Sequence, residues 1–198
     1  MVGLKASTLL SLLVLVFIVA YVILTYQQTQ IPKYEILREG TCLTYYLTVS
    51  YCNRTSEITG QLNVKIINIT EDKVYIYCTI MLGELSNSLT LSIDTRNNEV
   101  YELEENTGKL WMYWINIGNL LELEKFFGKC NVTLGREAIS VANRMFERYY
   151  IIQCQNGTLA YDCETGILLK AHNYGDYVLK KLGVSSPCNI KLLEISTS

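Results

Sequence analysis

Proline and histidine are scarce in this 198-residue sequence, with only Pro32, Pro187 and a single histidine, His172. Two prolines, no low-complexity tract and no convincing repeat exclude a collagen-like, solenoid or proline-rich linker chain. A lone imidazole leaves a histidine-based metal site or catalytic pair without its second member. Charge of one sign is missing as well. The 17 Lys and Arg balance 19 Asp and Glu to a net charge of −2, so no basic surface exists to steer the chain toward nucleic acid.

Charge is also missing locally. Between Ala6 and Pro32 there is no charged side chain, and Leu9 to Leu24 reads LLSLLVLVFIVAYVIL. About 20 helical residues cross a bilayer core, and Thr8 to Tyr26 supplies that length, with Tyr21 and Tyr26 as interfacial anchors. A cleaved signal peptide would have a shorter apolar run and a small-x-small cleavage site, which Leu24-Thr25-Tyr26-Gln27-Gln28 does not offer. We therefore expect a cytoplasmic stub over 1–8, an uncleaved transmembrane anchor over 9–26 and a polar stalk over 27–38. The remaining 39–198 should form one domain.

Cysteine is what the sequence has in excess. All seven (Cys42, Cys52, Cys78, Cys130, Cys154, Cys163 and Cys188) lie beyond the apolar run, as do four Asn-x-Ser/Thr sequons at Asn53, Asn68, Asn131 and Asn156. Together they suit an oxidising exterior, so the expectation is a single-pass protein of the cell membrane with its C-terminal domain outside. Zinc sites pair their ligands closely in sequence, whereas the cysteine spacings here are 10, 26, 52, 24, 9 and 25 residues. No metal or other cofactor is expected, and the cysteines read as disulfide candidates, with one left over because seven is odd.

The domain should be mainly β, of the α+β kind, because its apolar residues recur every second position. In Leu43 to Tyr51 the odd positions are apolar or aromatic and the even ones mostly Thr and Ser, and Leu89 to Asp94 alternates likewise. This pattern marks strands with one buried and one wet face. Further strands are expected near 59–69, 73–82, 99–104, 110–116, 131–134, 138–142, 147–155, 158–163, 167–173 and 189–196. Turn residues between them, such as Arg96-Asn97-Asn98, Asn156-Gly157 and Glu164-Thr165-Gly166, point to an antiparallel meander curved into a half-barrel. Two short helices are expected, Leu120 to Phe127 capped by Asn119 and Tyr177 to Leu182 capped by Asp176, with Gly128 and Gly183 ending them.

Strand geometry constrains the bridges. Along one strand Cys42 and Cys52 would stand ~33 Å apart, far beyond the ~7 Å that a disulfide spans. A turn at Asn156-Gly157 would set Cys154 against Leu159 and leave Cys163 about 13 Å further along. Cys163 is assigned to a distant partner, with Cys188 the choice.

Catalytic constellations are thin. No G-x-S-x-G or phosphate-cradling glycine loop occurs, and His172 falls on the wetter face of its strand. The acids Glu99, Glu102, Glu104, Glu105, Glu122 and Glu124 read as solvated positions rather than a glycosidase pair. We expect no enzyme. Trp111-Met112-Tyr113-Trp114 and Tyr75-Ile76-Tyr77-Cys78 are apolar on both faces, which implies either a helix cover or an interaction surface.

Two families share features with this chain. Tyr161-Asp162 with Thr165 to Leu169, the strand Arg148 to Cys154, Leu89 to Asp94 and Trp111 to Asn116 resemble archaeal membrane-anchored surface proteins. Their ectodomain is similar to the curved-sheet lipoprotein-carrier fold. Lys5-Ala6 followed by Ser7-Thr8-Leu9-Leu10 resembles an archaeal type IV pilin signal, cleaved after Ala6, though the usual downstream glutamate is missing. The first resemblance implies a fold more than an activity, and the leading expectation is a non-enzymatic surface domain with a structural or interaction role, held in the bilayer by Thr8 to Tyr26. It would act through a protein partner, self-association or a hydrophobic ligand carried in the sheet. The second implies a filament subunit.

Overall fold

The computed structural model describes residues 37–50, 57–115, 129–142, 144–155, 157–185 and 188–197. The expected stub, the anchor, most of the stalk and the helix over 120–127 lie outside them. The described chain forms thirteen strands: β1 (Thr41–Ser50), β2 (Glu57–Ile69), β3 (Lys73–Leu82), β4 (Leu85–Asp94), β5 (Glu99–Glu102), β6 (Glu105–Leu110), β7 (Cys130–Leu134), β8 (Ile139–Val141), β9 (Arg144–Phe146), β10 (Tyr149–Cys154), β11 (Gly157–Asp162), β12 (Leu168–Tyr174) and β13 (Cys188–Thr197). One helix, α1 (Tyr177–Lys181), joins β12 to β13.

Eleven strands make one sheet in the order β6-β5-β4-β3-β2-β1-β13-β12-β11-β10-β7, while β8 and β9 form a separate hairpin. Every pairing is antiparallel. The first strand of the domain thus lies against its last, and two runs of hairpins spread from that seam in opposite directions.

Period-two patterning decides which face is buried. Leu43, Tyr45, Leu47 and Val49 of β1, Leu62, Val64 and Ile66 of β2, and Val74, Ile76, Cys78 and Ile80 of β3 are all buried. Their alternates Tyr46, Lys65 and Tyr77 are exposed. Pro and Gly are kept out of these runs with one exception: a Cβ on Gly60 would fall 2.1 Å from the Met81 carbonyl oxygen. Leu37 also packs into the core, so the domain starts inside the stretch expected as stalk.

The largest departure from expectation is at 110–116. Trp111 to Ile115 do not join the sheet as a strand. They leave the end of β6 and are buried in the core, touching the turn before β12 through a single bridge between Trp114 and Ile167. Both faces of this stretch are buried, and the helix expected to cover it lies outside the described residues. The main chain of the stretch finds partners as buried peptide groups must. Trp111 N–H donates to Asn98 O at 2.8 Å, Ile115 N–H to Gly166 O at 2.9 Å, and Leu168 N–H to Tyr113 O at 2.9 Å. Three side chains add to these, Tyr161 Oη to Met112 O at 2.9 Å, Tyr45 Oη to Tyr113 O at 3.3 Å and Asn98 Nδ2 to Trp114 O at 3.3 Å.

Three other boundaries differ. The run 99–104 is cut by a tight turn at Leu103 and Glu104, both with positive φ, as a two-residue hairpin requires. The run 147–155 begins at Tyr149, and the hairpin β8–β9 before it buries Val141 and Phe146. Between β10 and β11, Cys154 faces Gly157 where Leu159 was expected, and Leu159 faces Ile152. Gly157 is needed within β11 because a Cβ there would meet the His172 and Asn173 carbonyl oxygens at 2.7 and 2.8 Å.

Gly157→Ala should therefore destabilise the domain by about 1–3 kcal/mol, the usual cost of overpacking, read as a fall in the thermal midpoint. An unchanged midpoint would show that β11 and β12 do not approach so closely.

Candidate functional site

The sequence behind α1 supplies an acid, and the fold turns it inward. Asp176 caps α1 as expected: its Oδ1 accepts from Leu179 N–H at 2.8 Å, satisfying one of the helix's open donors. Its Oδ2 accepts from the Tyr174 hydroxyl at 2.9 Å. Burial raises the Asp176 carboxyl above the ordinary 3.8, opposed by those two bonds and by the nearby Tyr113 hydroxyl. Tyr113 does not close a full hydrogen bond of its own, and neither does Trp111 Nε1.

Four phenols and two thiols share this interior. Burial is the first cause that pushes Tyr45, Tyr113, Tyr161 and Tyr174 well above the usual tyrosine range. It likewise raises the Cys78 thiol and pushes Cys188 up to about 12. A thiol attacks and binds metal as the thiolate, so both stay protonated and unreactive at neutral pH. Among the described residues no three His, Cys, Asp or Glu side chains are placed to hold a metal ion. The cluster holds the fold.

The remaining disulfide candidates separate by position. Cys130 and Cys154 face each other on β7 and β10 and are bonded, with Cα atoms 4.3 Å apart. Cys42, Cys78, Cys163 and Cys188 are free thiols, and Cys52 lies outside the described residues. The expected Cys163–Cys188 bridge is corrected by topology. Cys188 pairs with Tyr174 at the far end of β12, beside the start of β11, while Cys163 follows the end of β11. Five residues of strand put ~16 Å between those levels. Cys163 is not in a paired strand either. It belongs to the turn 163–166, where Asp162 Oδ2 accepts from Thr165 N–H at 2.7 Å and Thr165 Oγ1 at 2.6 Å. Asp162 is consequently buried, and Gly166 takes the left-handed position at φ 71.

That turn walls a cleft of about 380 Å³ with Arg144, Arg148, Asp162, Glu164 and Thr165. Beside it the Cys163 thiol is raised first by burial and then by Asp162, with Arg148 opposing. Of the sequons, Asn68 on β2 and Asn131 on β7 are exposed, while Asn53 and Asn156 lie outside the described residues. His172 is exposed.

The acids are not simply solvated. Glu102 accepts from the Tyr177 hydroxyl at 2.5 Å and pairs with Lys181 at 2.7 Å. Glu104 pairs with Lys73, and Glu99 accepts from Asn106 at 2.7 Å. Glu122 and Glu124 lie outside the described residues. Sequence reading missed the Glu102 link because its nearer partner, Tyr177, is 75 residues away, although Tyr177 and Lys181 at i and i+4 already share a helix face.

No helix among the described residues is long and apolar enough to cross a membrane, and residues 9–26 are not among them. Scanned against protein-family models and against curated proteins, the chain matches none.

Two outcomes are expected. Replacing both Cys130 and Cys154 by Ser should cost about 3–4 kcal/mol, the loop-closure value for 24 residues of separation; chemical denaturation of the two proteins would measure it. The second concerns pH. A carboxyl whose folded pKa is raised binds its proton more tightly when folded, so its contribution falls as pH climbs through 3.8 toward the folded value. Asp176→Asn keeps a capping side chain without that penalty. Its thermal midpoint relative to the parent should improve from acid to neutral pH, and a constant difference would contradict the raised pKa.

Proposed function

We propose that this chain is a non-enzymatic, single-pass cell-surface protein whose β domain stands outside the membrane in a structural or interaction role. The observation that carries this is the Cys130–Cys154 disulfide, built into a domain that follows the uncharged run Leu9 to Leu24. Such bonds persist on the oxidising side of a membrane. The exposure of Asn68 and Asn131 supports the same side, because a glycan needs a surface asparagine.

The sheet closes toward a half-barrel in this reading. β12 and β5 stand six strands apart in the sheet order, ~29 Å if flat at about 4.8 Å per step. Yet Tyr177, three residues beyond β12, bonds Glu102 at the end of β5. Curvature brings them together and makes an inner face. Trp111, Tyr113 and Trp114 occupy the core there, with ring centroids 4.7 to 4.9 Å apart. Filling by the protein's own side chains favours interaction through the outer surface and edges over carriage of a hydrophobic ligand.

In intact cells, an impermeant protease should remove the domain and leave a membrane-bound remnant that begins at Met1. Protection of the domain would refute the orientation. An N-terminus starting at Ser7 would replace the anchor with the pilin-like alternative.

A further inference from the structure

The ladders of one wing line up a row of side chains across five strands. Asn68 of β2 faces Tyr75 of β3, Tyr75 faces Ser92 of β4, Ser92 faces Tyr101 of β5, and Tyr101 faces Asn106 of β6. Directly opposed residues share a face of the sheet. Their chain neighbours Val74, Ile93 and Val100 are buried, so this row lies on the other, outer face. Asn68 and Asn106 are exposed and both tyrosines half-buried, while Ser92 between them is only 4% exposed. Two strand steps put the tyrosines ~10 Å apart.

The row has no charged member. Lys73 lies over the Tyr101 ring, 4.7 Å from its centroid, and is neutralised by Glu104. Ile67, the extra residue where β2 shifts register, and Tyr77 flank the row and are 44% and 40% exposed. Aromatic rings between neutral amides and a hydroxyl suit a sugar. The C–H face of a sugar ring meets the negative face of an aromatic ring, and its hydroxyls meet the amides. An ion would find no counter-charge in the row.

The chain itself can carry the sugar. Asn68 opens the sequon Asn68-Ile69-Thr70 and is exposed near the end of β2. Its Cβ stands ~5 Å from that of Tyr75, the spacing of opposed residues, so the first sugar attached there meets that ring. Asn131, the other exposed sequon asparagine, faces Gln153 instead.

We propose that Asn68 carries an N-linked glycan seated along Tyr75 and Tyr101. In the attachment, the Asn68 side-chain nitrogen bonds the anomeric carbon of a sugar held on a lipid-linked phosphate. The bond from that carbon to the phosphate oxygen breaks, the phosphate leaves with the electron pair, and the amide gives up one proton. The seated glycan covers Ile67 and the two tyrosines. This rests on the exterior placement proposed above, where sequons are modified.

The test makes the full chain in a secretory host that attaches N-glycans and in a bacterium that does not, each purified in detergent. Peptide mass spectrometry of the first should find sugar on Asn68. Asn68→Gln should lower the thermal midpoint of that protein by about 2–4 °C, the scale of one stabilising contact in a domain of this size. The bacterial protein should not respond. Tyr75→Thr should reduce the fall to less than half, and Asn131→Gln should leave the midpoint where it is. An unmodified Asn68 would overturn the proposal, as would an equal fall in both hosts, no fall in either, or a fall indifferent to Tyr75→Thr. The comparison of hosts does not depend on the Tyr75 variant folding. Sugar on Asn131 with none on Asn68 would refute the seat and leave the exterior placement standing. No sugar anywhere, together with a domain protected from protease, would sink both.

Discussion

A length of main chain buried in an apolar core must have its peptide groups satisfied, and the structure depends on how Trp111 to Ile115 meet that demand. An unpaired buried peptide group costs about 1–3 kcal/mol. Here donors and acceptors come from both wings of the sheet: Asn98 beyond β4, Tyr45 on β1, Tyr161 on β11, and the peptide groups of Gly166 and Leu168 beside β12. The segment acts as a tie between halves whose strands, among the described residues, pair with each other at the β1–β13 seam. Its own rings then fill the space, Tyr113 against Tyr45 at 5.3 Å and against Trp111 at 4.9 Å, in the tilted and edge-on arrangements that aromatic quadrupoles favour.

A second tie runs through α1. Five residues are too few for a helix that is stable alone, so its persistence comes from its ends and its buried side. Asp176 closes the N-terminus, Val178 and Leu179 face the core, and the Leu182 carbonyl accepts from Asn87 of β4 at 2.9 Å. Tyr177 and Lys181 then reach Glu102 of β5. The lysine adds little as a half-exposed pair. The buried contacts fix the position, and the acid selects it.

Burial also sorts the chemistry. The cysteines that looked alike in sequence meet three fates by location: bonded at an edge, buried and protonated in the core, or half-covered at the surface. The Tyr161 to Lys170 stretch shows the same sorting over ten residues. Asp162 is spent on organising its turn, Cys163 stands in that turn beside a charged cleft, and Leu168 and Leu169 pass into the core.

Local patterning was read well from sequence because side-chain alternation and turn residues are local physics. β1 to β4, the Asp176 cap and the left-handed Gly166 follow from residues within a few positions of one another. The seam between first and last strands, the partner of Cys130 and the inward path of Trp111-Met112-Tyr113-Trp114 did not, since each depends on residues far away in the chain. An alternating apolar run says that a face will be buried, and not by what. Sequence alone determined a mainly β domain with strands of known phase behind a long uncharged segment. Tertiary structure decided which thiols meet and which acid lies inside, because those outcomes depend on distances between strands that only packing sets.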